Sequence, residues 1–429
     1  MGVLMLWIYR ILMTVLMPVA IGFLALRDRL IGKQRPPWSE RFARSLPDIE
    51  PGGLWIHAVS VGEVEVARRL IDELDQDGAR VPMTLTSTTA TGLALAHKNL
   101  GDRVTILPTP VDLPGPVGRI LDAIRPRTLV LVETELWPEM LNQAGRRGVS
   151  VIVVNARLSD ASFRRYRRIK GALAPLLKPL SLVMTRDATD ADRFRELGIE
   201  ADRVVVGGNI KYDLEPDRRP LEWDDEIESY AGGRPVIVAG STLEGEEQLV
   251  LDAVEMLAGS DGPRPLLILA PRHPERFEAV ARLVSARGLT LVRRSRLPDG
   301  VIKGADVFLL DTIGELARAF RHGAVAFIGG SLVPSGGHNP LEPAAWGVPV
   351  LSGPAVANFE EVYREMKAAH AARLVADSQE LGDALGHWLT EPEEARRVGE
   401  AGRRVVEANR GASARIAAEI VDQFESQKS

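Results

Sequence analysis

FIGGSLVPSGGHNPLEPAAWGVPVLSGPAVANFEEV, residues 327–362, is the stretch that decides the fold. It continues an apolar strand running from Ala324 to Ile328 and breaks into a loop with Gly329, Gly330, Gly336 and Gly337. It then restarts as a helix. Asn339 is placed to cap that helix, Pro340 fills a first-turn position whose N–H needs no partner, and Leu341 and Glu342 follow, Glu342 three residues past the cap. A strand, a glycine loop and a helix start together predict free backbone donors and a positive dipole end, which suits an anion. A capping box that merely ends a loop reads the same way from this stretch alone.

Similar loops precede it. Gly240-Ser241-Thr242 follows the apolar strand Pro235 to Ala239 and opens a helix around Glu246 to Leu257. Pro271, Arg272 and His273 follow the strand Pro265 to Leu269, and Asp311 to Leu316, with Ile313, Gly314 and Glu315, follow the strand Val307 to Leu310. Each polar group stands just past the carboxyl end of a strand, the edge where ligands collect in open α/β sheets. Four such loops in sequence point to one crevice. Arg272 offers a planar fork for phosphate oxygens, although the flanking Pro271 and Pro274 also fit a plain surface turn.

Working back towards the N-terminus, strand-length apolar runs recur at Leu54–Ala58, Met83–Thr86, Val104–Leu107, Leu129–Val132, Val151–Val154, Leu182–Met184 and Val204–Val206, with helical patterns between. This alternation predicts a mostly parallel sheet covered on both faces. A polar stretch from Asp213 to Asp225, with Pro216 and Pro220, is the best linker, and the alternation restarts at Pro235. Two Rossmann-like halves facing a cleft are expected, and one larger sheet is the alternative.

The 429 residues exceed one ordinary domain of about 100–200 residues. A net charge of −5 gives no sign of nucleic-acid binding, so no nucleic-acid partner is expected. The absence of cysteine excludes a disulfide scaffold, an iron–sulfur cluster and a thiolate zinc site. No strong metal signature is present; acidic pairs such as Asp190 and Asp192 lie in a helix-like stretch. Metal independence is the expectation.

The N-terminus differs in kind. From Met1 to Leu26 the only charge is Arg10, and Arg27, Arg29, Lys33 and Arg35 follow at once. No small-residue cleavage pattern suits a signal peptide, and the basic cluster favours a cytoplasmic body. A retained anchor is expected, either spanning or lying in one leaflet. The expected boundaries are 1–30 for the anchor, 31–213 for an N-terminal domain and 214–429 for a C-terminal domain.

The chain resembles the 3-deoxy-D-manno-octulosonate (Kdo) transferases, membrane-associated enzymes that move Kdo from CMP-Kdo onto the lipid A precursor. The matching stretches are WIHAVSVGEV (55–64), TSTTATG (86–92), VETELWPE (132–139), NARLS (155–159), GNIKYD (208–213), STLEGEE (241–247), APRHPERF (270–277), DTIGEL (311–316) and GGHNPLEPAA (336–345). Ala355 departs from the family, which usually carries histidine there. The resemblance implies a GT-B fold, a CMP-Kdo donor held by the C-terminal domain, a lipid A precursor acceptor and contact with membrane lipids. It also implies the bacterial inner membrane, with the catalytic domains on the cytoplasmic side. A sugar-nucleotide protein of the same shape, an epimerase-like enzyme or a binding module, is the alternative.

Several residues carry two readings. Glu63 sits in a first helical turn, where a carboxylate commonly serves the dipole alone; the resemblance places the catalytic base on it. Glu133 and Glu135 end the strand Leu129–Val132 and either pair with an arginine such as Arg157 or bind acceptor and support the reacting carbon. Lys211 either reaches the donor phosphate or is solvated, and His338 is a ligand or a loop residue. Glu342 either caps or binds the donor ribose, as the resemblance implies. Arg164, Arg165 and Arg168 form, with Arg167 and Lys170, a basic run that is either a solvated face or an attractor of lipid phosphates.

Overall fold

Short runs of valine, isoleucine and leucine, each bounded by turn residues, become parallel strands, and the longer amphipathic stretches between them become helices that cover both sheet faces. The computed structural model describes residues 2–31, 37–76, 81–257, 264–297 and 305–426. Among them, the first sheet comprises β1 (Leu54–His57), β2 (Met83–Ser87), β3 (Thr105–Pro108), β4 (Thr128–Val132), β5 (Ser150–Ala156), β6 (Leu180–Thr185) and β7 (Val204–Val206), ordered β3-β2-β1-β4-β5-β6-β7. The second comprises β8 (Val236–Thr242), β9 (Leu266–Pro271), β10 (Leu291–Arg293), β11 (Val307–Leu309), β12 (Val325–Ile328), β13 (Val350–Ser352) and β14 (Ala372–Leu374), ordered β10-β11-β9-β8-β12-β13-β14. The ladders are parallel, as between β1 and β4 and between β8 and β12.

The fold is therefore α/β with two Rossmann-like units of the GT-B type, and the alternative of one larger sheet falls away. Side chains alternate between layers: Trp55, Leu129 and Leu131 enter one core, while Leu54, Ile56, Val130 and Val132 enter the other. Within the first sheet the strand order reverses between β1 and β4, and within the second between β8 and β12. Those two switch points are where an open parallel sheet leaves a crevice at its carboxyl edge.

The helices that matter below are α1 (Gly2–Ile31), α2 (Val61–Gln76), α3 (Pro138–Arg146), α4 (Asp160–Arg168), α5 (Lys170–Leu177), α6 (Glu246–Met256), α7 (Leu341–Ala345) and α8 (Ala412–Ser426). The units divide as Met1–Asp213 with Arg410–Ser429, and Leu214–Asn409. The expected C-terminal boundary at 429 is thus corrected, because α8 returns to the first unit. Its Ile416, Ile420 and Phe424 share a core with Leu70, Ile71 and Leu74 of α2. The Asp213 carboxylate accepts the N–H groups of Gly411 at 2.5 Å and Ala412 at 3.2 Å, placing negative charge at the helix start.

Among the described residues, Leu4–Phe23 is long and apolar enough to cross a bilayer. The expected basic residues Lys33 and Arg35 lie outside the described residues. Near its beginning α1 is fastened to the first unit: Leu6 is buried, and Met5 and Tyr9 pack on the same core.

Candidate active site

In the first unit the polar groups gather where β1 and β4 end. Backbone leaving β1 turns at Val59 and Ser60 and starts α2 with a reciprocal cap. Val59 N–H donates to Glu63 Oε2 at 2.7 Å, Ser60 Oγ donates to Glu63 Oε1 at 2.8 Å, and Glu63 N–H returns to Ser60 Oγ at 3.4 Å. Glu63 is only 7% exposed. Burial pushes its carboxyl up to about 7, and the charges of Glu133 and Glu135 add to the rise, against the pull of the two hydrogen bonds.

Glu133 begins the loop after β4 in a left-handed conformation, φ +59°. Its carboxylate takes a close ion pair from Arg186, which follows β6, and a second from Lys211 Nζ at 3.5 Å. Burial works to raise this carboxyl, but Arg186, Lys211 and Arg157 outweigh it and hold it below the ordinary range. The arginine expected as partner was Arg157; Arg186, which follows β6 beside this edge and whose side chain is 2% exposed, makes the close contact instead, and Arg157 acts only through its charge. Glu135 accepts from Trp137 Nε1 at 2.8 Å, and its carboxyl is raised by burial and by Glu133. Burial and Arg186 together lower the Lys211 ammonium, opposed by Glu133.

Two neighbours complete this edge. His57, fully buried at the end of β1, meets Thr86 Oγ1 at 2.9 Å through Nδ1 and sets its ring edge-on to Trp137 at 5.5 Å. Burial holds it neutral, down at about 3. Glu133, Glu135, Arg157, Ser159 and Tyr166 line a cleft of about 180 Å³. One wall of that cleft is α4, whose Arg164, Arg165 and Arg168 are exposed.

In the second unit the loops after β8, β9 and β12 converge. The expectation of free backbone donors at Gly329 and Gly330 is corrected. The amides of Gly330, Ser331 and Leu332 donate to the buried Glu246 carboxylate at 2.6, 2.8 and 2.8 Å, and Leu243 adds a fourth at 2.9 Å. Gly329 N–H goes to Gly240 O. A carboxylate from α6 therefore already fills the cradle that an anion would occupy.

The helix restart is present but short, since α7 has five residues. Asn339 Oδ1 accepts from Leu341 N–H at 3.1 Å, and its Nδ2 reaches Glu342 Oε1 at 3.3 Å. The expected cap is corrected, since Pro340 stands at the N-cap and Leu341 opens the helix. Pro340 is buried beside them.

Arg272 and His273 are exposed after buried Pro271 at the end of β9, and Arg272 N–H holds Thr242 O at 2.9 Å. His338 lies close enough to feel both: burial, then Arg272 and His273, lower its imidazole to about 4. Its Nε2 is buried without a hydrogen-bond partner. Ile313 is 63% exposed, and Gly314 takes φ +94°, a conformation that suits glycine. Glu315 is already engaged, by Thr312 of its own loop, by Trp223 Nε1 at 3.0 Å and by Arg294 Nε at 3.1 Å. Ala355, at the position of the family's usual histidine, donates its N–H to Ser331 O at 3.0 Å.

Sequence reasoning missed Arg186, Glu246 and His57 as members of these clusters. Arg186 and Glu246 each stand one strand end or one helix turn away from a noted motif, and their partners are distant in sequence. Among the described residues no group of three metal-ligating side chains converges.

A family model described as 3-deoxy-D-manno-octulosonic-acid transferase (kdotransferase) matches residues 36–214, and a glycosyl transferase-like model matches 315–422. The 3-deoxy-D-manno-octulosonic acid transferase of Haemophilus influenzae is 35% identical over 418 residues, covering 95% of this chain and 96% of that one. Its namesake from Bordetella pertussis is 35% identical over 371 residues, covering 84% and 85%. Among solved structures, the UDP-GlcNAc 2-epimerase from Neisseria meningitidis bound to UDP-GlcNAc aligns with a TM-score of 0.57 over 87% of this chain and 99% of that one. At 13% identity that likeness concerns the fold alone and does not favour an epimerase. With 35% identity over most of the chain to two named relatives, the chain belongs to the 3-deoxy-D-manno-octulosonic acid transferase family of glycosyltransferases.

Proposed function

We propose that the chain moves Kdo from CMP-Kdo to a hydroxyl of the lipid A precursor, with inversion at the anomeric carbon, in lipopolysaccharide biosynthesis. The observation that carries the reading is the state of Glu63, a buried carboxylate held near neutrality at the switch point of the first sheet, in a chain of this family. A base with an affinity for protons close to working pH accepts one readily and releases it again. In the reaction, Glu63 takes the proton of the acceptor hydroxyl as that oxygen attacks the anomeric carbon. The bond from that carbon to the CMP phosphate breaks, and CMP leaves with the electron pair.

Glu133 and Glu135 divide the remaining work of that edge. Glu133, kept ionised by Arg186 and Lys211, supplies negative charge towards a reacting carbon that becomes electron-poor, while Glu135 holds the acceptor. Environments that push neighbouring carboxyls apart are the usual basis for such a division.

The donor is assigned to the second unit. Arg272 and His273 face the CMP phosphate, Ile313 and Gly314 flank the base, and Glu342 takes the ribose hydroxyls. The Asn339-Pro340-Leu341 turn supports Glu342 from below. A monophosphate leaving group carries modest charge, so arginine and histidine suffice to neutralise it and no metal is required. Helix α1 together with Arg164, Arg165 and Arg168 is assigned to the cytoplasmic face of the inner membrane.

The test is to incubate the purified chain with CMP-Kdo, with and without lipid A precursor, in the presence of EDTA. Kdo-bearing lipid by mass spectrometry, with CMP released only when the lipid is present, is the expected result. CMP release or sugar rearrangement that ignores the lipid would overturn the reading.

A further inference from the structure

Near its beginning α1 is clamped to the catalytic body through Leu6, Tyr9 and Arg10. Arg10 makes two hydrogen bonds to Glu139, at 2.7 and 2.9 Å, and the Glu139 side chain is fully buried. Tyr9 OH donates to Asp112 at 2.7 Å, and the same Asp112 carboxylate accepts the N–H groups of Glu139 and Met140 at the start of α3. Leu6 is buried against this surface. A buried carboxylate that loses its arginine is left uncompensated, so the clamp is not readily opened.

The other end of α1 is tethered to the same body. Six residues lie between Ile31 and the short helix at Trp38–Arg41, where Arg41 Nε donates to Thr109 O at 3.2 Å and Arg41 O accepts from Val111 N–H at 2.8 Å. From Arg10 to Ile31 the helix runs about 32 Å at 1.5 Å per residue. The return from Ile31 to Trp38 reaches at most about 25 Å fully extended. A hydrocarbon core of about 30 Å cannot be crossed and recrossed within that reach.

We infer that α1 does not span the bilayer: it lies in the plane of one leaflet, with both ends on the side of the catalytic body. This rests on the membrane assignment above and specifies its topology. Beyond the clamp α1 stays apolar and exposed, with Ile11, Leu12, Val15, Leu16, Val19 and Phe23 50–70% exposed, so it needs a hydrocarbon environment, and the short tether decides how it lies there. The partner is a leaflet rich in anionic lipid. Helix α1 packs on α5, whose first residue Lys170 and the adjoining Arg164, Arg165, Arg167 and Arg168 of α4 are exposed and cationic.

The chain has no cysteine, so single cysteines report without background. Full-length variants Ile8→Cys, Leu12→Cys, Val15→Cys, Val19→Cys and Phe23→Cys, each carrying an environment-sensitive dye, are bound to vesicles of phosphatidylethanolamine and phosphatidylglycerol. Quenching by lipids brominated at different depths then places each label. One shared shallow depth is expected for all five positions. A membrane-impermeant maleimide added outside should reach Leu4→Cys in intact vesicles as fully as in lysed ones.

A depth that passes through the bilayer centre near Val15, with Leu4→Cys labelled only after lysis, overturns the in-plane topology and leaves the membrane assignment standing. Failure of the full-length chain to sediment with vesicles overturns that assignment itself.

Discussion

Glu246 holds the backbone amide of Gly330 at 2.6 Å across the switch point of the second sheet. With Ser331, Leu332 and Leu243 also donating to it, one buried carboxylate fixes the whole turn after β12. The glycines there serve close packing: a Cβ on Gly329 would meet the backbone of Ser241 and Thr242 at 2.6 Å. Glu246→Gln replaces an acceptor of four donors by a group that must itself donate, leaving at least one amide facing an NH2. Stability should fall by about 2–3 kcal/mol, and CMP affinity should fall with it because this turn, through Gly329 O and His338 N–H, leads into the Asn339–Glu342 segment assigned to the donor. A melting temperature and a CMP titration check both. Unchanged values would show that the loop is held by other means.

Breaking the Arg186–Glu133 pair from one side should cost more than removing both charges. Arg186→Met removes the closest cation from the partly buried Glu133 and leaves it with Lys211 and the more weakly acting Arg157, and a loss of about 3 kcal/mol is expected. Adding Glu133→Gln to the same variant should recover part of it. A denaturant-unfolding double-mutant cycle gives the coupling, and strictly additive losses would contradict a direct pair.

Arg272→Ala should weaken CMP binding by roughly tenfold to a hundredfold, the range for a lost charge-assisted contact of about 1.5–3 kcal/mol. Arg272→Lys should restore only part, because a point charge does not reproduce the fork. Direct titration with CMP measures it. A defect confined to the apparent affinity for the lipid would move Arg272 to the acceptor side.

The raised carboxyl of Glu63 has two consequences with opposite slopes in pH. Only the ionised form accepts a proton, so kcat/KM should fall as pH drops below about 7. Stability should change the other way. The folded value near 7 exceeds the ordinary 4.5, so the native state binds a proton that the unfolded chain does not between those limits. This contribution is fully present below about 4.5 and is lost as pH rises through 7. Glu63→Gln should remove that part of the stability profile, measured as melting temperature against pH; an unchanged profile would contradict the shift.

The parallel sheets were legible because strands buried on both faces read as unbroken apolar runs, as in Leu129 to Val132 and Pro265 to Leu269. The edge strands Leu291–Arg293 and Ala372–Leu374 went unread, being three residues long and carrying arginine. Glu63 was legible in position, in the first turn of the helix after β1, while its role as base came from the resemblance, because its burial depends on the fold. Arg186, Glu246 and the return of α8 to α2 were not, because each depends on a partner far away in the chain. Glycine spacing marked the loop after β12 as anion-binding in form, but spacing does not reveal that a buried side chain already fills it.

The most direct measurement on Glu63 is the turnover and the CMP affinity of Glu63→Gln, determined side by side on the full-length chain. Glutamine keeps the size of the side chain and the acceptor oxygen for the cap but is not a base. Turnover with CMP-Kdo and lipid A precursor should drop by about a hundredfold or more, while the CMP dissociation constant stays close to that of the parent. Near-normal turnover with intact CMP binding would contradict Glu63 as the group that takes the acceptor proton.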